Sequence, residues 1–180
     1  MAHNLKQLAA RIDELTADAP FAVHWEVRDI ASGDRIGQRA DQVVGAFSTR
    51  KVSVLLACLA LVQRQKLSLD DTYVIDEELK DGVQAGIMRN LSAGIELSLR
   101  DHLAQMMITS DNICTQLVFK AIEDATGNAL QWVNDYCAQL GMHHTLHREI
   151  FPRSAELAWS HSIESMTVTS ARDQALLLEH

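Results

Sequence analysis

The feature that most constrains the fold is a strongly apolar segment between Ser48 and Gln65, which reads STRKVSVLLACLALVQRQ. Its pattern predicts one long helix that is apolar nearly all round, which is typical of a helix buried inside a protein. Such a helix needs other elements packed on every side. The chain of 180 residues is long enough to supply them within one domain that has a substantial core. We therefore predict a single domain over residues 1–180, built around this helix.

The residues before this segment predict a surface helix followed by a β-hairpin. Apolar residues recur at helical spacing among charged ones near the start of the chain, at Leu5, Leu8, Ile12 and Leu15. Residues 21–28 alternate apolar and polar side chains, which is the period of a half-buried strand. Turn residues at 32–34 then allow residues 35–39 to return as the second strand.

The residues after the apolar segment are mainly helical. The pattern predicts a short extended piece at 72–75, helices at about 99–108, 112–125 and 128–140, and a last helical segment from Thr169. Gly127 and Gly141 fit helix ends, because glycine is favoured just past a helix C-terminus. Two strands do not form a stable sheet alone, so the chain looks short of strands for an α+β domain.

Charge, hydropathy and cysteine content argue against several classes of partner. The formal net charge of −8 argues against nucleic acid, because phosphate binding needs clustered Lys and Arg. No apolar run reaches the roughly 18 residues that a membrane span needs, so we predict no membrane partner. The first twenty residues lack a secretory signal, which predicts a cytoplasmic protein, or a periplasmic or secreted one if a signal was removed. The three cysteines lie in apolar helical patterns and are predicted to be reduced core thiols: Cys58, Cys114 and Cys137.

The residues best suited to chemistry stand at the start of the apolar helix. Lys51 follows Ser48 by three residues, so both side chains fall on the same helical face. A serine hydroxyl is a poor nucleophile unless a nearby base takes its proton. Desolvation beside an apolar helix disfavours the ammonium form of lysine, which makes Lys51 a plausible proton acceptor. The alternative is that Ser48 only caps the helix and Lys51 is a solvated side chain.

A second polar group, Ser110-Asp111-Asn112, lies between two predicted helices, where its side chains can project into a cleft. The Ser110 hydroxyl can relay a proton to a leaving nitrogen. The Asn112 amide can hold a carbonyl or amide group of a substrate. The alternative is that one of the three residues caps the helix that begins at Asn112.

These two motifs, S-x-x-K and S-D-N about sixty residues apart, resemble those of the class A β-lactamase and penicillin-binding protein superfamily. Residues 86–91, 97–103, 140–145 and 167–173 are also similar to that superfamily, so the resemblance covers about 20–180. It implies an α+β fold of the β-lactamase/transpeptidase type, with a helical region and an antiparallel sheet. It also implies a serine hydrolase that forms an acyl-enzyme on a small-molecule amide, lactam or ester.

The resemblance implies a role for each residue of the two motifs. Ser48 would be acylated, Lys51 would help to activate it, and Ser110 would transfer a proton. Asn112 would contact the amide of the substrate. The family requires no metal or organic cofactor, so none is expected.

The first departure from the family concerns the glutamate that activates the deacylating water in class A β-lactamases. When Arg148 is aligned with the family's arginine, Ile150 falls at the place of that glutamate and Glu149 lies one residue early. Glu156 and Glu164 are further candidates. The alternative is that all three glutamates are solvated loop carboxylates.

The second departure is that the family's third motif, a K-T-G on an inner strand, is absent, together with the C-terminal strands and helix. We therefore expect a domain truncated before those strands. It would be either a fragment of a longer protein or a chain that gains strands by association, as a homo-oligomer or by strand exchange. A second hypothesis for its function is a non-catalytic binding or assembly module of the same fold.

Overall fold

The computed structural model describes residues 2–150 and 162–179, and helices dominate this part of the chain. The α-helices are α1 (Ala2–Thr16), α2 (Arg50–Gln63), α3 (Leu99–Ile108), α4 (Asn112–Thr126), α5 (Ala129–Gln139) and α6 (Ala171–Leu177). The strands are β1 (Trp25–Arg28), β2 (Arg35–Gln38), β3 (Val44–Gly45), β4 (Thr72–Ile75), β5 (Ile95–Ser98) and β6 (Val168–Thr169). Short 3-10 helices cover Phe47–Thr49, Glu78–Lys80 and Met88–Asn90. The predicted mixture of helices with antiparallel strands is confirmed.

The strands of the described residues form three separate antiparallel pairs: β1 with β2, β4 with β5, and β3 with β6. The first pair is the predicted hairpin, although its first strand begins at Trp25 rather than at residue 21. The third pair joins distant parts of the chain, because Gly45 is opposite Val168. Ala46 extends this contact by donating its N–H to the Thr167 carbonyl oxygen at 2.9 Å. The β3–β6 pair therefore fixes the backbone that leads into α2.

Helix α2 lies at the centre of the fold and contacts α3, α4 and α5, as the apolar segment predicts. Its buried apolar side chains are Val54, Ala57, Cys58 and Leu61, and the largest side chain of the core is Phe119 on α4. The predicted start of the helix is wrong by two residues. Ser48 lies in the 3-10 turn Phe47–Thr49, and regular α-helix begins only at Arg50.

The peripheral elements show where local pattern and tertiary contact differ. In α1 the apolar face that the sequence predicts is only partly buried, because Leu8 and Leu15 are exposed and the buried apolar residue is Ala9. The reason is that α1 packs against β2, which covers only a narrow part of its surface. Gly127 caps α4 in a left-handed conformation, as predicted. In the described ranges no helix combines the length and apolar character that crossing a membrane requires.

The buried thiols lead to a prediction about chemical reactivity. All three cysteines are free and buried. Desolvation raises the pKa of Cys58 to about 12 and that of Cys137 to about 11, because burial disfavours the thiolate. We expect iodoacetamide to modify none of the three thiols in the native protein and all three after denaturation, as measured by intact mass. A thiol that is alkylated rapidly in the folded protein would contradict this account.

Candidate active site

Ser48 is presented on an irregular turn rather than inside a regular helix. The preceding Phe47 has φ of 44°, a left-handed conformation that non-glycine residues seldom adopt. The turn is closed by Thr49, whose N–H donates to the Ala46 carbonyl oxygen at 3.0 Å. Ser48 is exposed, and no side chain caps α2. The alternative that Ser48 serves only as a helix cap is therefore wrong.

Lys51 is buried, with 2% of its surface exposed, so the alternative of a solvated lysine is also wrong. Its Nζ lies 2.6 Å from the Ser110 carbonyl oxygen, 2.8 Å from Ser110 Oγ and 2.8 Å from Asn112 Oδ1. Desolvation is the largest cause that lowers the pKa of Lys51, and the charge of Arg50 also lowers it, while Asp111 raises it. Together these effects leave the pKa of Lys51 at about 8. Roughly a tenth of Lys51 is therefore neutral at pH 7, and this fraction grows as the pH rises through about 8.

Ser110 connects the two residues of the first motif. Its Oγ lies 3.0 Å from Ser48 Oγ and 2.8 Å from Lys51 Nζ. As an ammonium, Lys51 donates to all three of its acceptors, and Ser110 donates to Ser48. As a neutral amine, Lys51 can accept from the Ser110 hydroxyl, which can then accept from Ser48. The arrangement can thus carry a proton from Ser48 to Lys51 through Ser110.

The S-D-N segment is held in place by its aspartate. Asp111 is buried and caps α4, because its Oδ1 accepts from Ile113 N at 2.9 Å and from Cys114 N at 3.1 Å. The capping role that the sequence left open for one of the three residues therefore belongs to Asp111. Its second oxygen, Oδ2, accepts from Met88 N at 2.9 Å, and this bond ties the start of α4 to the 3-10 helix Met88–Asn90. Ser110, which precedes Asp111 directly, has a left-handed φ of 54°.

Close packing around Asp111 depends on Gly86, a requirement that the sequence did not reveal. Gly86 has φ of 111°, and a Cβ placed there would lie 2.2 Å from Asp111 Oδ2. Only glycine allows the backbone to approach the carboxylate this closely. The neighbouring Ala85 carbonyl oxygen accepts from Asn112 N at 3.2 Å. Residues 85–88 thus form a backbone support for the S-D-N segment.

The structure brings Ser48, Lys51, Ser110 and Asn112 together, and neither Glu149 nor Glu164 hydrogen-bonds to any of them in the described part of the chain. Glu149 binds Arg50 and also accepts from Thr167 Oγ1 at 2.7 Å, so it is not a solvated carboxylate. Glu164 is exposed, and Glu156 lies outside the described residues. Arg50, which lies between the two residues of the first motif, was not singled out by the sequence. Its signal would have been an arginine inside an otherwise apolar helix.

The fold is that of the β-lactamase and penicillin-binding protein superfamily of serine hydrolases. A β-lactamase from Xanthomonas campestris pv. campestris str. ATCC 33913 superposes with a TM-score of 0.79 and 23% identity, over 96% of this chain and 60% of that one. A β-lactamase from Sphaerobacter thermophilus DSM 20745 superposes with a TM-score of 0.75 and 24% identity, over 95% of this chain and 60% of that one. A PBP-A variant was solved as an acyl-enzyme complex with penicillin G. It superposes with a TM-score of 0.72 and 20% identity, over 96% of this chain and 60% of that one.

The chain belongs to the beta-lactamase enzyme family, whose model matches residues 7–180. This confirms the resemblance that the two motifs and the neighbouring segments predicted. The chain spans about 60% of the length of the solved structures that it resembles. No curated protein matches it.

Proposed function

We propose that the protein is a serine hydrolase that forms an acyl-enzyme at Ser48 with a small amide, lactam or ester. The observation that supports this most strongly is the hydrogen-bonded path from Ser48 Oγ to Ser110 Oγ at 3.0 Å and on to Lys51 Nζ at 2.8 Å. A serine becomes a useful nucleophile when a base within such reach accepts its proton. The lowered pKa of Lys51, about 8, suits it to that task.

In the proposed acylation step, the Ser48 oxygen attacks the carbonyl carbon of the substrate while its proton moves through Ser110 to neutral Lys51. The tetrahedral intermediate then collapses, and the bond from the carbonyl carbon to the leaving nitrogen or oxygen breaks. The same path returns the proton to the leaving atom, with Ser110 as the donor. Asn112 directs Oδ1 to Lys51, which leaves its amide nitrogen to donate to a carbonyl of the substrate.

The first substrate class to examine is a penicillin. The PBP-A variant of similar fold forms an acyl-enzyme with penicillin G. A fluorescent penicillin and a broadly reactive fluorophosphonate together cover lactam and ester-like reactivity. We expect one of them to label the protein covalently, with the added mass located on the peptide that contains Ser48.

The Ser48→Ala variant is expected to lose labelling completely, while Ser92→Ala, which alters an exposed serine elsewhere, keeps it. Circular dichroism would check that both variants are folded. Labelling that persists in Ser48→Ala would place the nucleophile at another residue and contradict the proposal.

A non-catalytic binding module is the second candidate function. The observation that favours it is that the Glu149 carboxylate is occupied by Arg50 and Thr167. Reversible binding of penicillin without an added mass, unchanged in Ser48→Ala, would support this second function over the first.

A further inference from the structure

Arg50 follows Ser48 by two residues and precedes Lys51 by one, yet it points into the protein. Only 5% of its surface is exposed. Its guanidinium binds the Glu149 carboxylate and the backbone oxygens of Glu149 and Ile150. The central carbon of the guanidinium also lies 5.7 Å from the centre of the Phe119 ring. Arg50 therefore joins α2, the core side of α4 and the segment 146–150.

The hydrogen-bond partners of Arg50 differ from those of its neighbour Lys51. Lys51 Nζ contacts Ser110 and Asn112, and Ser110 Oγ contacts Ser48 Oγ. Arg50 instead binds Glu149 and Ile150, so these two adjacent residues of α2 reach different groups. The Arg50–Glu149 pair is also connected to the residue just before β6. Thr167 Oγ1 donates to Glu149, and the Thr167 carbonyl oxygen accepts from Ala46 N.

We propose that Arg50 and Glu149 are positioning residues that tie the segment 146–150 to the inner side of α2. In this role Glu149 is the counter-ion of Arg50 rather than the base that activates water against the acyl-enzyme. The inference rests on the proposed function, since it assigns the two residues a role around the acylated Ser48. Under this proposal Glu149 does not take over deacylation from its place one position early in the loop.

The hydrogen bonds of Glu149 distinguish the two roles. Its Oε1 accepts from both Arg50 and Thr167. Its Oε2 is buried and has no hydrogen-bond partner among the described residues. A base would use the oxygen that has no partner, Oε2. Loss of the carboxylate should therefore slow deacylation if Glu149 is the base, but not if it is only the counter-ion of Arg50.

The first measurement is the decay of the penicilloyl-enzyme, followed by intact mass after excess penicillin is removed. If Glu149 is the counter-ion, we expect the penicilloyl-enzyme of Glu149→Gln to decay at a rate within about threefold of wild type. As the base, it could not be replaced without slowing decay by about 100-fold or more. The matched control is Glu14→Gln, which breaks the exposed Arg11–Glu14 ion pair on α1 and is expected to change nothing. A decay slowed 100-fold in Glu149→Gln alone would overturn the proposal.

The second measurement is the titration of Lys51, followed by nuclear magnetic resonance of ¹³Cε-labelled lysine, with the signal assigned by its loss in Lys51→Met. The charged groups that act on Lys51 are Arg50 and Asp111, and the buried Cys114 lies nearby as a neutral thiol. Removing the carboxylate leaves the charge of Arg50 uncompensated, so the midpoint in Glu149→Gln moves to lower pH. In the double variant Arg50→Met/Glu149→Gln it returns to or above the wild-type value. An unchanged midpoint in both variants would show that the pair has no electrostatic effect on Lys51 and would overturn the counter-ion role.

Thermal unfolding keeps the test decisive if Glu149→Gln folds poorly. An unpaired buried guanidinium destabilises a protein more than an apolar replacement of the pair. We therefore expect a lower Tm for Glu149→Gln than for the double variant, and the reverse order would contradict the proposal. If wild type forms no acyl-enzyme, the proposed function fails, but the Lys51 titration and the Tm comparison still test the counter-ion role.

Discussion

A Lys51→Met variant is expected to be acylated by penicillin at Ser48 about 10²- to 10⁴-fold more slowly than wild type. Methionine matches the length of lysine closely but cannot accept the proton that leaves Ser48. Without a base, the serine must react as a neutral hydroxyl, which is a poor nucleophile. The measurement is the second-order rate constant of acylation, obtained from the rate of adduct formation at several penicillin concentrations.

The acylation rate of the wild-type protein should also rise with pH, because the protonation state of Lys51 controls it. Burial lowers the pKa of Lys51 to about 8, and the neutral amine is the active form. The acylation rate therefore rises as the pH is raised through about 8 and levels off above it. At pH 7 roughly a tenth of the lysine is neutral, so the plateau should be about tenfold higher than the rate at pH 7.

The matched control is Lys66→Met, which removes an exposed lysine just beyond α2 and should keep both the rate and the pH profile. If Lys51→Met is acylated within threefold of wild type, another group is the base. If wild type is acylated more slowly as the pH rises through 8, the ammonium form is the active one. Either result would exclude the proposed path through Ser110.

A Gly86→Ala variant is expected to lose about 3–5 kcal/mol of unfolding free energy. The added Cβ would lie 2.2 Å from Asp111 Oδ2 and 2.8 Å from Asp111 Cα, so the carboxylate and backbone would have to move. That movement breaks the cap of α4 and leaves Met88 N without its acceptor. The residue also has φ of 111°, which strains any side chain. Urea unfolding followed by circular dichroism measures the loss.

Gly94→Ala separates the collision from the backbone strain. Gly94 has φ of 90°, but nothing lies within 4 Å of a Cβ placed there. We expect this variant to lose only about 1–2 kcal/mol, the cost of the unfavourable dihedral angle. Equal losses in the two variants would mean that contact with Asp111 does not matter. Gly86→Ala should also slow acylation, because Ser110 and Asn112 flank the displaced Asp111.

Features that depend on nearby residues could be predicted from the sequence. The burial of α2 follows from an apolar pattern within one helix, and α3, α4 and α5 lie within one or two residues of their expected ends. The closeness of Ser48 to Lys51 was expected from their spacing of three residues, and the structure connects the two through Ser110. The approach of Ser110 and Asn112 to this pair was predicted differently, from a resemblance to a known family rather than from periodicity.

Features that depend on distant parts of the chain were decided only by the tertiary structure. Arg50 and Glu149 are 99 residues apart, and Gly86 and Asp111 are separated along the chain by β5 and α3. The burial that lowers the pKa of Lys51 likewise comes from residues beyond its own helix. The apolar helix α2, which begins just after Ser48 and carries Lys51 in its first turn, was thus determined by the sequence, because helical period is a local property. Which charges surround that helix was decided by the fold, because ion pairs and close backbone contacts form only when distant segments pack together.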